Sequence, residues 1–191
     1  MTCIVGLVDK GMVWMGGDSC GSDDWQWMET GATKVFKAGD VLCGVSGSFK
    51  IIDLLTYHLP DLAKTAEDPD RFLRTTFMRN FFDIAHKFRW NEHEDPPDFD
   101  VLIGYAGKLY LFQDDFSIAN IQTSGFAIGS GGLTARGSLH TTKDMKMPPA
   151  KRIALALHAA EAVVHSVRGP FKILNETGTD KLPKVPRKVK P

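Results

Sequence analysis

At 191 residues, 43% apolar and 24% charged, the chain has globular proportions and the length for one domain with a sizeable core. Its 23 Lys and Arg balance 23 Asp and Glu, so no overall field draws it to nucleic acid or to an anionic membrane. The three cysteines, Cys3, Cys20 and Cys43, are an odd number without CxxC spacing, which argues against a disulfide framework or zinc site and fits a reducing compartment.

The N-terminus, MTCIVGLVDKGMVWMGGDS, lacks a basic n-region, and its apolar run breaks at Asp9-Lys10, so it reads as a strand and not as a signal peptide. No segment approaches the roughly 20 continuous apolar residues of a spanning helix, and a cytoplasmic protein is expected. From Thr2 to Val8 both alternating faces are apolar or small, as in a strand covered on both sides. Asp9-Lys10-Gly11 then turns the chain into Met12 to Gly16, a hairpin. Ser19 to Thr33, rich in Gly, Asp and Trp, reads as a loop, and Lys34 to Val45 as a second hairpin turning at Ala38-Gly39-Asp40.

A helix is predicted from Ser48 to Pro60, with Ile51, Leu54, Leu55 and His58 on one face. Asp68-Pro69-Asp70 starts a second, with Phe72, Leu73, Phe77, Phe81 and Ala85 aligned. The acidic, Pro-rich segment 90–100 leads to a third hairpin, VLIGYAGKLYLF, turning at Ala106-Gly107-Lys108. Phe126 to Ile128 is a short strand entering GSGG at 129–132, and a short helix is expected to Leu139. Pro148-Pro149 opens a last long helix that runs to about Gly169-Pro170. Paired strands, two helices, paired strands and two helices suggest sheets layered between helices. The domain is expected over 1–174. Residues 175–191, without aromatic residues and rich in lysine, read as a flexible basic tail.

Thr2 lies directly behind Met1, and its small side chain is of the kind that permits removal of the methionine. The freed α-amine, with an ordinary pKa of about 7.7 to 8.0, is suited to act as general base for the hydroxyl of the same residue. Alone, a Met-Thr start carries little. It gains weight from an ordered set of partners: GGDS at 16–19 with Asp18 at a strand end, Lys34-Val35 opening a hairpin, GVSG at 44–47 closing it, and GSGG at 129–132 after a strand.

In that order and spacing, over roughly residues 2 to 170, the sequence resembles the proteasome β-subunit family of N-terminal-nucleophile (Ntn) hydrolases, and especially its bacterial HslV peptidase branch. The resemblance implies an α+β, four-layer αββα sandwich. It implies Thr2 as nucleophile, Asp18 as orienting carboxylate, Lys34 as the cation beside the nucleophile, Gly47 as the oxyanion-hole N–H and Ser130 as the serine near the α-amine. It further implies a threonine-type peptidase acting on peptides or unfolded proteins within a homo-oligomeric ring, fed by a separate ATPase unfoldase. The chain has no GxxxxGKS motif of its own. No cofactor and no metal are expected. Near the end of the last helix the family carries an Asp and a Ser, whereas this chain reads HSVRGPF; His165 and Ser166 stand near those positions without an assigned role, and a monovalent-cation site is left open.

Three other features compete for attention. Cys3 is the stronger nucleophile but alternates to the opposite face and reads as a core thiol. His93, in an acidic loop, lacks a second spaced histidine and reads as solvated. Cys20 and Val45, near the site in sequence, are candidates to shape a substrate pocket. The same scaffold also accommodates a non-proteolytic amidase or acyltransferase, or an inactive structural protein.

Overall fold

Strand pairing begins with β1 (Ile4–Asp9) and β2 (Met12–Gly17), joined at Lys10-Gly11 in the expected hairpin, with Ile4 opposite Gly17 and Asp9 opposite Met12. The structure, a computed structural model, describes residues 2–22, 27–29, 33–59, 62, 67–88 and 98–178. The segment 19–33 is not simply a loop. β3 (Cys20–Ser22) pairs with β4 (Trp27–Glu29), which opens on Trp27, an aromatic residue that favours extended backbone where the surrounding Gly and Asp suggest a loop. β5 (Val35–Ala38) and β6 (Val41–Gly47) form the second hairpin.

Helix α1 covers 49–58, with Ser48 accepting from the Lys50 N–H at its start. Its last turn widens, and Leu59 N donates to Leu54 O, five residues back. Helix α2 covers 69–87. Asp68 caps it by accepting from Arg71 N at 3.0 Å with Pro69 in the first turn, an arrangement worth about 1 kcal/mol. Then come β7 (Phe99–Tyr105), β8 (Lys108–Gln113), β9 (Ile118–Ile121), β10 (Gly125–Ile128), α3 (Gly132–Thr141), α4 (Pro149–Val163) and β11 (Lys172–Asn175). Two of these strands, β9 and β11, were not anticipated; each is four residues long and too short to display an alternation. Helix α4 stops earlier than expected, where the β-branched Val164 turns to extended backbone after Val163, and residues 164–171 form a loop.

The first sheet has the order β10-β1-β2-β11 and the second β5-β6-β7-β8-β9, all antiparallel. Three apolar clusters fill the three gaps of a four-layer α+β sandwich, αββα as expected. Cys3, Val5 and Leu7 pack with Ile153 and Leu157 between the first sheet and α3/α4. Ile4, Val13 and Met15 meet Leu42, Leu102 and Leu109 between the sheets. Val41, Cys43, Val101 and Ile103 meet Phe72, Phe77 and Phe81 between the second sheet and α1/α2. The opposite alternations of β1 thus look into different cores. Folded contacts continue past 174: Asn175 pairs with Trp14, and the Glu176 carboxylate accepts from Val13 N at 3.1 Å and Gly107 N at 3.0 Å, tying β2 of the first sheet to the β7–β8 turn of the second. Residues 179–191 of the basic tail lie outside the described residues, as do Met1 and His93. Among the described residues no helix is long and apolar enough to cross a membrane.

Candidate active site

Thr2 enters the fold just ahead of β1, on the alternation that faces the second sheet. Its backbone is fixed from α3's side: its carbonyl accepts from Gly131 N at 3.1 Å and from Ser130 Oγ at 3.3 Å. Asp18 follows β2, where the hairpin register returns it to Cys3; Asp18 N donates to Cys3 O at 3.3 Å. Its carboxylate takes two backbone donors, Cys3 N at 2.9 Å and Cys20 N at 3.1 Å, so its orientation is set by the β1 entry and by β3. Lys34 precedes β5, and its backbone carbonyl accepts from Val45 N at 2.9 Å.

These elements converge on one ammonium group. Lys34 Nζ donates to Thr2 Oγ1 at 3.0 Å, Asp18 Oδ2 at 3.0 Å and Cys20 O at 2.6 Å. Thr2 and Lys34 are 3% exposed and Asp18 1%, so the ion pair is shielded from solvent and its geometry is held by hydrogen bonds on every side. Burial of this kind costs desolvation energy, which the three acceptors and two backbone donors offset. The carbonyl of Cys20 is a contributor that residue types could not announce, because any residue there supplies one.

On the other side of Thr2, its nitrogen lies 3.2 Å from Ser130 Oγ, and Ser130 Oγ lies 3.3 Å from Ser166 Oγ. Ser166 is 2% exposed, in the loop after α4, while its neighbour His165 points to solvent. The loop is anchored to the Asp18 region, where Ser19 N donates to Arg168 O at 3.2 Å and Ser19 Oγ to Pro170 O at 2.6 Å, and to the end of α4, where Gly169 N donates to Glu161 Oε1 at 3.0 Å. Where the resembled family carries a carboxylate, the described chain of groups here ends on hydroxyls.

Gly47 ends β6 opposite Phe99 with φ +95, a conformation that favours glycine, and a β-carbon there would collide with Asp98 O. Gly129, with φ +83, has the same requirement: a β-carbon would collide with the Thr2 carbonyl and lie 2.8 Å from Ser46 Oγ. Ser46, which the sequence did not single out, therefore marks how closely the end of β6 approaches Thr2, with Gly47 next to it. All five expected residues, Thr2, Asp18, Lys34, Gly47 and Ser130, thus lie at one end of the sandwich, between or at the rim of the two sheets.

Cys3 is fully buried on the helix side of β1, and desolvation, reinforced by Asp18 and opposed by Lys34, pushes its thiol up to about 12. Cys20 is buried beside Lys34; burial and Asp18 raise its thiol as well. Val45 packs into the cluster facing α1 and α2. No group of three or more metal-ligating side chains gathers among the described residues.

No family model and no curated protein sequence matches the chain. Solved structures do: two antiparallel sheets between helix layers, in this connectivity, are the fold of the proteasome β-like Ntn hydrolases. The chain is similar to Thiobacillus denitrificans BPH in complex with epoxomicin, at a TM-score of 0.74 and 16% identity over 91% of this chain and 97% of that one. Eukaryotic HslV from Trypanosoma brucei gives 0.67 at 15% identity over 91% and 98%, and an Anbu (Gly-1) mutant from Hyphomicrobium sp. strain MC1 gives 0.66 at 13% over 95% and 85%. The likeness is one of fold, and it does not single out the HslV branch.

Proposed function

We propose that the chain is a threonine-type Ntn peptidase whose nucleophile is Thr2 Oγ1, released by removal of Met1. The observation that carries this reading is the buried Lys34 ammonium held between Thr2 Oγ1 and Asp18 Oδ2, both at 3.0 Å. With Met1 attached, the Thr2 nitrogen is an amide and no base. Once freed, the amine keeps Ser130 Oγ as an acceptor for one N–H and has a lone pair to take the hydroxyl proton. Thr2 Oγ1 then adds to the scissile carbonyl, Lys34 stabilises the developing alkoxide, and the Gly47 N–H donates to the tetrahedral oxyanion, a contact worth about 2.7 to 4 kcal/mol in comparable sites. The proton passes to the leaving amine, and water hydrolyses the remaining ester. Peptides or unfolded proteins are the substrates in this reading, handled within a homo-oligomeric ring. A separate ATPase is its proposed partner.

One preparation tests it. Intact mass should show the chain without Met1, and the processed protein should hydrolyse a small fluorogenic peptide and gain the mass of epoxomicin, the compound carried by one similar structure. Thr2→Ala should lose both hydrolysis and adduct. Retained Met1, or hydrolysis that survives Thr2→Ala, removes Thr2 from the mechanism; a single-subunit mass by light scattering removes the ring.

A further inference from the structure

At the end of β10 remote from Ser130, the turn 123–125 and helix α3 enclose an open cavity of about 320 Å³, lined by Thr123, Ser124, Phe126, Arg136, His140 and Lys143 among others. Its charge is one-sided. Arg136 and His140, four residues apart, share one face of α3, Lys143 lies in the turn just beyond its end, and no carboxylate among the described residues lines the space. The chain as a whole is neutral, which makes this a local excess of cation.

Arg136 is held in place before any ligand arrives. Its guanidinium carbon stacks 3.6 Å from the Phe126 ring centre, and its Nε donates to Ala127 O at 2.8 Å. Neither terminal nitrogen makes a hydrogen bond among the described residues, and the same is true of the His140 and Lys143 side chains. Partial burial lowers the proton affinity of Arg136; Asp100 opposes this through space while its own carboxylate accepts from Gln113 Nε2. A guanidinium that is exposed, fixed in direction by stacking and by its Nε bond, and short of acceptors at its terminal nitrogens is a fork suited to two oxygens of one anion. Cations near a helix C-terminus also favour the helix dipole, but that role needs neither a cavity nor an arginine locked by stacking.

We propose that this cavity binds a small multivalent oxyanion, of phosphate or carboxylate type, with Arg136 as the bidentate anchor, Lys143 and His140 as flanking donors and the Ser124 hydroxyl at its rim. The site is separate from Thr2 and does not depend on Thr2 being a nucleophile.

Titration calorimetry on the full-length protein in chloride buffer, with pyrophosphate and citrate as probes, tests the assignment. One or both should bind saturably at one site per chain, and which of them binds more tightly tells phosphate from carboxylate. Arg136→Lys keeps the charge but loses the fork and should weaken binding about tenfold or more. Lys143→Ala should weaken it about threefold or more. Lys151→Ala, an exposed lysine on the other helix, should leave it unchanged. Absence of saturation with both probes, or equal affinity across the variants, overturns the proposal. Should Arg136→Lys fail to fold, Lys143→Ala and His140→Ala carry the test, since both side chains are exposed and make no bond among the described residues.

Discussion

The two sides of Thr2 are built from different chemistry. Around its oxygen lie a lysine and an aspartate, both almost wholly buried and bonded to backbone groups from β1's entry and β3. On the side of its nitrogen, two hydroxyls follow one another among the described residues, Ser130 at the surface and Ser166 beneath it. A buried charge that is well paired fixes geometry strongly and acts strongly on a developing charge, whereas a chain of hydroxyls is electrically neutral and can reverse the direction of its hydrogen bonds. The oxygen side should therefore set whether the reaction occurs, and the nitrogen side how efficiently a proton moves.

Removing the charge from the oxygen side is the harshest way to probe this contrast. Lys34→Ala should lower kcat/KM for a fluorogenic peptide by about a thousandfold or more, as loss of a catalytic member does in comparable enzymes. It also leaves Asp18 buried without its cation, a change that costs about 3 to 5 kcal/mol where a buried pair is broken. Thermal unfolding must be monitored alongside, and activity within tenfold of the parent in a folded variant would mean that Lys34 is a structural cation only.

The nitrogen side should yield less. Ser130→Ala is expected to reduce kcat about tenfold to a hundredfold, the lower range for a group that orients a base. Ser166→Ala should cost only a few-fold, because Ser166 reaches the amine through Ser130. In the double variant the two effects should not add, since residues in one hydrogen-bonded chain couple. Additive losses would show that Ser166 acts by a route other than Ser130. A loss from Ser166→Ala as large as that from Lys34→Ala would reverse the contrast altogether.

The oxygen side was the more legible in the sequence. Asp18 closes the hairpin with the strand that Thr2 begins, so strand pairing returns it towards Thr2; Lys34 and Gly47 sit at the ends of a hairpin of the second sheet, and their place beside Thr2 was legible through the resemblance to the proteasome β-subunit family. Ser130 was legible through the GSGG run. Ser166 was named from the sequence without a role, because the helical pattern of α4 extends through residues that Val164 diverts into a loop. The Cys20 carbonyl was hidden in a segment that reads as irregular, and β9 and β11 were too short to announce themselves. Most of what escaped was backbone: a carbonyl, four short strands and an early helix end, none of which depends strongly on residue type.

The thiols give a quieter measure of the same contrast, because Cys3 and Cys20 border the Lys34–Asp18 pair while Cys43 lies in the core facing α1 and α2. If the lysine governed the local field, the two nearby thiols would be acidic and reactive. Burial is instead the largest influence on each, and Asp18 outweighs Lys34 in pushing the same way. Thiols react as thiolates, so native protein should resist iodoacetamide near neutral pH at all three positions. The sign of the linkage to stability is fixed by these shifts. Cys3 and Cys43 titrate at about 12 when folded against an ordinary value of 9.0, so the folded state binds more protons between those limits. Stability should be full below about 9 and decline as pH rises towards 12. Cys43→Ala should flatten that decline in urea unfolding measured from pH 8 upward, at the cost of a small cavity. Rapid alkylation of Cys20 at neutral pH would show that Lys34 dominates its surroundings after all, and that the charged side of Thr2 is less evenly balanced than its buried pair suggests.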